Sequence, residues 1–211
     1  MIDPHLDHLV YAVPDLLLGV ADFAERTGVT PAAGGRHPGG TANYLVAFGE
    51  TSYLEIIGPD PEADTGPIRF GLDTLREPRL VTWAVHPADL DTSVRQARER
   101  GYDPGVIEPL SRHTPNGSLL AWRLTNRDDS APVSPVPFLI DWGGTTHPAA
   151  SGLPRLGLAA FSAVHPEPAA LRRDLTALGV ELDIAEGPEI ALRAVLDTPL
   201  RQVTLTSASR S

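Results

Sequence analysis

Apolar and polar positions along this chain fall into one pattern three times. "LDHLVYAV" (residues 6–13) is a nearly unbroken apolar run. It leads into "PDLLLGVADFAERTG", where Leu16, Val20 and Phe23 recur at helical spacing between Asp15, a ready N-cap, and Gly28, a ready stop. "LVTWAVHP" (80–87) leads in the same way into "ADLDTSVRQARERG", with Leu90, Val94 and Ala97 on the stripe and Gly101 at the end. "LAAFSAVHP" (158–166) leads into "EPAALRRDLTALG", with Leu171, Leu175 and Leu178 on the stripe and Gly179 at the end. Behind each helix come three short strand-like runs separated by Gly, Pro or Asn, such as "GGRHPGG", "ANYLVAF" and "SYLEIIGP" behind the first. The chain therefore predicts three strand–helix–three-strand (βαβββ) modules, at roughly residues 5–60, 78–144 and 155–207. A shared Arg-His pair at 36–37 and 112–113 ties modules one and two most closely.

One such module covers one face of its sheet with a helix and leaves the other open. Two modules side by side join into a single curved sheet around a cleft, with the helices outside. The expected organisation is an α+β fold, with residues 1–150 forming the paired modules and 151–211 the third. At 211 residues and 42% apolar content, the chain has material for a substantial core. The formal charge of −10 argues against nucleic acid or an anionic membrane as partner and leaves a small molecule. No run approaches the length of a membrane span, and the N-terminus lacks a signal-peptide layout, so a cytoplasmic protein is expected. With no cysteine, any metal must be held by His, carboxylate or water. Frequent Ala, Arg and Pro match a GC-rich genome, and "NRDDSAPVSPVP" (126–137) reads as a mobile loop.

The stretches "LDHLVYAVPDL", "GGRHPGGTANYLVAFG", "SYLEIIGPDP" and "PFLIDWGGTTHPA" resemble the glyoxalase-like family of the vicinal oxygen chelate superfamily, whose members pair βαβββ modules around a cleft. The resemblance covers residues 5–150 by motif and the remainder by module pattern. It implies that metal ligands come from the first and last strands of the paired modules, and His8 and Glu55 match those two positions in module one. Alternation places Leu6, His8, Val10 and Ala12 on one strand face and Tyr53, Glu55 and Ile57 on another. A carboxylate inside an apolar strand needs a partner, and His8 is the candidate.

Module two breaks the ligand pattern. Aligned on the first, it offers Leu80 in place of His8 and Ile140 in place of Glu55, and Asp141 is one residue off the ligand face. A third ligand would come from a loop: His37, His113 or, preferred, His147. Two readings of His8 and Glu55 follow. They are catalytic groups helping to hold a divalent ion (Zn, Fe, Mn, Ni or Mg), or they form a buried hydrogen-bonded pair with no cofactor. Arg36, His37 and Asn43 in the Gly-rich stretch, with Arg112 completing an anion clamp, are candidate ligand-binding residues. Phe138 and Trp142 are cleft wall or core, Trp83 and Trp122 lean toward core, and His86 and His165 read as structural.

Function divides accordingly. One reading is a metal-dependent lyase, isomerase or dioxygenase acting on a small carbonyl or vicinal-oxygen compound. The other is a binding protein that encloses a metabolite or antibiotic without chemistry. The third module lacks ligand residues and is assigned a structural role, as a lid or buttress or, slightly preferred, as the contact of a homodimer.

Overall fold

The computed structural model describes residues 2–63, 71–114, 117–127 and 132–207; residues 128–131 of the expected mobile loop lie outside the described residues. Module one is β1 (Leu6–Ala12), α1 (Leu16–Thr27), β2 (Ala32–His37), β3 (Thr41–Ala47) and β4 (Tyr53–Pro59). Module two is β5 (Arg79–Val85), α2 (Leu90–Glu99), β6 (Val106–His113), β7 (Leu119–Asn126) and β8 (Phe138–Asp141). Module three is β9 (Gly157–His165), α3 (Pro168–Leu178), β10 (Asp183–Glu186), β11 (Ala191–Asp197) and β12 (Gln202–Thr206).

The helices form where the stripes place them. Asp15 caps α1 by accepting from the Leu18 N–H at 3.0 Å, Asp89 caps α2 through the Thr92 N–H at 2.6 Å, and Gly28 and Gly179 end α1 and α3 in the left-handed conformation. The stripes bury Leu16 and Phe23, Leu90 and Val94, and Leu171 and Leu175 in one core.

Modules one and two curl into a closed barrel of order β1-β4-β3-β2-β6-β7-β8-β5. Antiparallel pairing of β1 with β5 joins the modules on one side, and the Arg36–His113 pair of β2 and β6 closes the other. Two register shifts in the β1–β5 ladder, at Leu6/His8 and Val10/Tyr11, decide which side chains face inward. His8, Val10 and Ala12 keep the inner face. Leu6, expected with them, instead joins Leu9, Tyr11 and Val13 in the outer core, because the first shift breaks the alternation. The second shift has the larger consequence. Val81 packs inward with Val10 and Ile57, whereas Leu80 turns outward among Leu192, Leu196 and Leu205. The residue aligned with His8 is therefore not a cleft residue at all.

Module three keeps the element order of the other two but not their strand pairing. In modules one and two the first strand pairs in parallel with the last strand of its own module, and its other edge pairs with the neighbouring module. β9 has no such neighbour. Its edges take β10 in parallel and β11 antiparallel, giving a separate sheet of order β10-β9-β11-β12. The edge that a second module would have covered is filled from within.

The apolar face of this sheet packs on α3 and on the outer face of β5. Phe161 meets the Trp83 ring edge-on at 5.1 Å, the Ser207 hydroxyl donates to the Leu80 carbonyl at 2.7 Å, and the Glu181 N–H donates to Asp3 at 2.7 Å. Leu80, Leu192 and Leu196 are fully buried there, and each such leucine is worth about 1.5–3 kcal/mol. The third module thus packs against the barrel through β5 and buries an apolar face of its sheet there.

Candidate functional site

The inner face of the barrel is polar on one side and apolar on the other. β1 and β4 lie parallel with His8 opposite Tyr53 and Val10 opposite Glu55, so His8 and Glu55 stand diagonally on one face. The His8 Nε2 and Glu55 Oε2 atoms are 3.9 Å apart. Each group is held from behind. His8 Nδ1 bonds to Asp7 Oδ1 at 2.6 Å, and the Asn43 amide donates to Glu55 Oε1 at 2.5 Å. Since Asp7 can only accept, Nδ1 carries the proton and the Nε2 lone pair faces Glu55. The His8 ring stacks on Tyr53 at 4.7 Å and meets Phe138 edge-on at 5.4 Å, which fixes its plane.

Asp7 is the residue the alternation rule overlooked. It sits at the first register shift of β1, fully buried, and gathers the histidines of two modules. Besides His8 it accepts from Trp142 Nε1 at 2.9 Å and His147 Nε2 at 3.1 Å, and His86 Nδ1 lies 3.8 Å away. Burial alone would raise its pKa. The hydrogen bonds from His147 and His8 outweigh burial and hold the carboxyl well below the usual carboxylate range. For Tyr53, burial comes first and the charges of Asp7 and Glu55 add to it, pushing the phenol well above its ordinary value, so it remains a neutral donor. The available signal for Asp7 was two consecutive ionisable residues, Asp7 and His8, in an otherwise apolar strand.

His147, the preferred third metal ligand, does not join the pair. Its Nε2 bonds to Asp7 and its Nδ1 accepts from the Ala149 N–H at 3.2 Å, so both ring nitrogens are spent on anchoring the turn after β8. On module two, Ile140 faces inward with Ala84 and Trp142, and Asp141 points away to accept from Arg123 at 2.7 Å. Among the described residues no group of three His, Asp or Glu side chains could hold a metal ion. His8 and Glu55 alone do not match the three protein donors a catalytic divalent ion requires.

The anion clamp of two arginines does not assemble. Arg36 is half exposed and turns to Asp60, at 3.4 Å, and to Glu62. Arg112 is buried on the inner face of β6, where it donates to the Gly34 carbonyl. The Gly-rich stretch is explained by this approach: a Cβ on Gly35, whose φ is +150°, would lie 2.2 Å from the His113 carbonyl oxygen and 2.6 Å from the Arg112 guanidinium. A Cβ on Gly34 would lie 2.3 Å from Asn43 Oδ1. The glycines admit the protein's own Arg112 and Asn43.

His37 bonds to Thr41 Oγ1 at 2.9 Å and lies 6.3 Å from the Trp122 ring, while His113 is exposed at the barrel closure. Trp122, Trp142, Phe138, Ile140 and Leu45 form the apolar inner wall. Trp83 is core, donating to the Pro135 carbonyl at 2.9 Å, and His165 accepts from the Glu167 N–H at the start of α3. No helix among the described residues is long and apolar enough to cross a membrane.

Solved structures are similar to this chain. A hypothetical protein from Staphylococcus aureus superposes with a TM-score of 0.61 at 14% identity, covering 95% of this chain and 84% of that one. A variant of 4-hydroxymandelate synthase from Streptomyces coelicolor gives 0.51 at 13% identity over 98% of this chain and 63% of that one. Methylmalonyl-CoA epimerase from Mycobacterium tuberculosis gives 0.45 at 20% identity over 67% and 90%. At such identities the likeness concerns the fold. Among curated proteins none matches the sequence. The glyoxalase-like domain model, however, matches residues 6–179, through both barrel modules and into the third, and the chain belongs to that family, with the vicinal oxygen chelate fold.

Proposed function

We propose that the barrel interior receives a small carbonyl or vicinal-oxygen compound and that His8 and Glu55 move a proton on it without a three-donor metal. One observation carries this reading. Two ionisable groups, each fixed by a partner behind it, face one another across 3.9 Å, which is too long for a hydrogen bond and short enough for one ligand atom to touch both. His8 Nε2 takes the proton from a ligand C–H or O–H, and Asp7 stabilises the imidazolium that forms. Glu55 accepts a hydrogen bond from the ligand's hydroxyl, and the imidazolium returns the proton to a carbon or oxygen of the same ligand. That is the chemistry of an isomerase.

A second reading is favoured by the other wall. Module two presents Ile140, Phe138, Trp122 and Trp142 where donors would stand, as suits a protein that only encloses an apolar metabolite. Incubation in D2O with a set of small 2-hydroxy and 2-oxo carbonyl compounds, followed by proton NMR, separates the two. Exchange of a ligand C–H by the wild type, retained after dialysis against EDTA and lost in His8→Gln and Glu55→Gln, supports the first. Exchange that vanishes with EDTA overturns it, and binding with no exchange favours the second.

A further inference from the structure

Among the described residues, Arg112 is the one charged group that module two places in the barrel interior, and its chemistry is unfinished. The residue is 4% exposed, yet its guanidinium makes a single hydrogen bond among the described residues, to the Gly34 carbonyl, and no ion pair. Burial pushes its pKa below the ordinary value and the nearby charge of Glu55 opposes this, but among the described residues no carboxylate reaches it within 4.0 Å. A guanidinium carries five N–H donors and is costly to bury without an acceptor. Its other N–H groups are not sealed off. The one fully enclosed side-chain polar atom lacking a partner among the described residues is Asn43 Oδ1, at the neighbouring position on β3. Burial, one backbone anchor on Gly34 and further N–H groups that are not fully enclosed are the features of a preorganised receptor.

We infer that the free edge of the Arg112 guanidinium binds the carboxylate of the ligand, and that the ligand is a monoanionic carboxylic acid with a flat apolar body. This rests on the barrel interior being the binding site, as proposed above. Planar carboxylate and guanidinium match as a fork. A single negative charge is preferred because Glu55 already supplies one nearby, so a phosphate dianion meets repulsion that a carboxylate largely avoids. The body is set by what surrounds the arginine. Arg112 pairs with Leu120 across β6–β7, and Trp122 stands two residues along the same face, continuing into Trp142 at 5.4 Å and then into Ile140 and Phe138. An aromatic or branched acid would lie along this wall with its polar end at Arg112 and its reacting atoms near His8 and Glu55.

Calorimetric titration of the full chain with benzoate and phenylacetate, against benzamide, phenylacetamide and phenylphosphonate, tests this. The acids should bind at least about tenfold more tightly than the neutral amides and more tightly than the phosphonate. Arg112→Gln should abolish that preference and Arg36→Gln should leave it intact. Equal binding of acid and amide, a preference for the phosphonate, or discrimination that survives in Arg112→Gln would overturn the inference while leaving the interior as a binding site. Failure of every probe to bind would overturn both. Should Arg112→Gln not fold, the comparison of acid with amide on the wild type decides alone.

Discussion

The two halves of the barrel are built on one plan and differ in what they put inside it. Module one contributes His8, Glu55 and Asn43, each held by a neighbour; module two contributes Ile140, Phe138, Trp122 and Trp142, with Arg112 as its charge. Matching the two sequences suggests that module two simply lost its ligands. The geometry says more: the register shift at Val10/Tyr11 turns Leu80 out of the barrel, so the lost position now belongs to the contact with the third module. A repeated strand needs its apolar pattern to fold, but its inner residues are free to diverge, and here one copy became polar machinery and the other a wall and a buttress.

Restoring the missing histidine is the most damaging way to challenge that comparison. Leu80→His would bury an imidazole among Leu192, Leu196 and Leu205 and should cost about 3 kcal/mol, read as a lower midpoint in urea unfolding, with no gain of metal affinity. A stable variant that binds zinc would mean that residue 80 faces inward.

Asp7→Asn comes next. Asp7 accepts from His8, Trp142 and His147, and an amide offers one acceptor oxygen, so at least one buried donor is orphaned at about 2 kcal/mol. Because folding depresses the Asp7 pKa, its contribution is present above its ordinary value of 3.8 and is lost progressively as the pH falls below it. The gap in stability between wild type and Asp7→Asn should therefore narrow below about pH 4. A gap that widens on acidification would reverse this assignment.

Gly35→Ala should cost about 1–2 kcal/mol, from the positive φ and the crowding of Arg112 and the His113 carbonyl, and should weaken acid binding as well. A neutral result would mean that Arg112 is not packed against β2. Arg36→Gln should leave both the unfolding midpoint and ligand affinity unchanged, since its partners Asp60 and Glu62 lie outside the inner-face site.

Much of this was legible in the sequence. The stripes located all three helices, and alternation put Glu55 with Tyr53 and Ile57, because long periodic patterns report burial directly. The misreadings come from single-residue events that periodicity cannot register. The shifts beside Asp7 and Val81 moved Leu6 and Leu80 to the outer face and hid a buried carboxylate. The third module shows the same limit at a larger scale: its element order is identical, yet β9 pairs with β10 and β11 of its own module instead of with a neighbouring module. Long-range pairing also decided the arginines. Arg36 and Arg112 occupy matching Arg-His steps, and only Arg112 faces inward.

The account stands on His8 being held with its Nε2 lone pair toward Glu55. Ring-nitrogen NMR of uniformly 15N-labelled protein at neutral pH reads this directly, with His8→Gln providing the assignment. The arrangement predicts a proton on His8 Nδ1 and an unprotonated Nε2, a pattern that Asp7→Asn disturbs. A His8 ring protonated on Nε2 alone, and indifferent to Asp7→Asn, would contradict it.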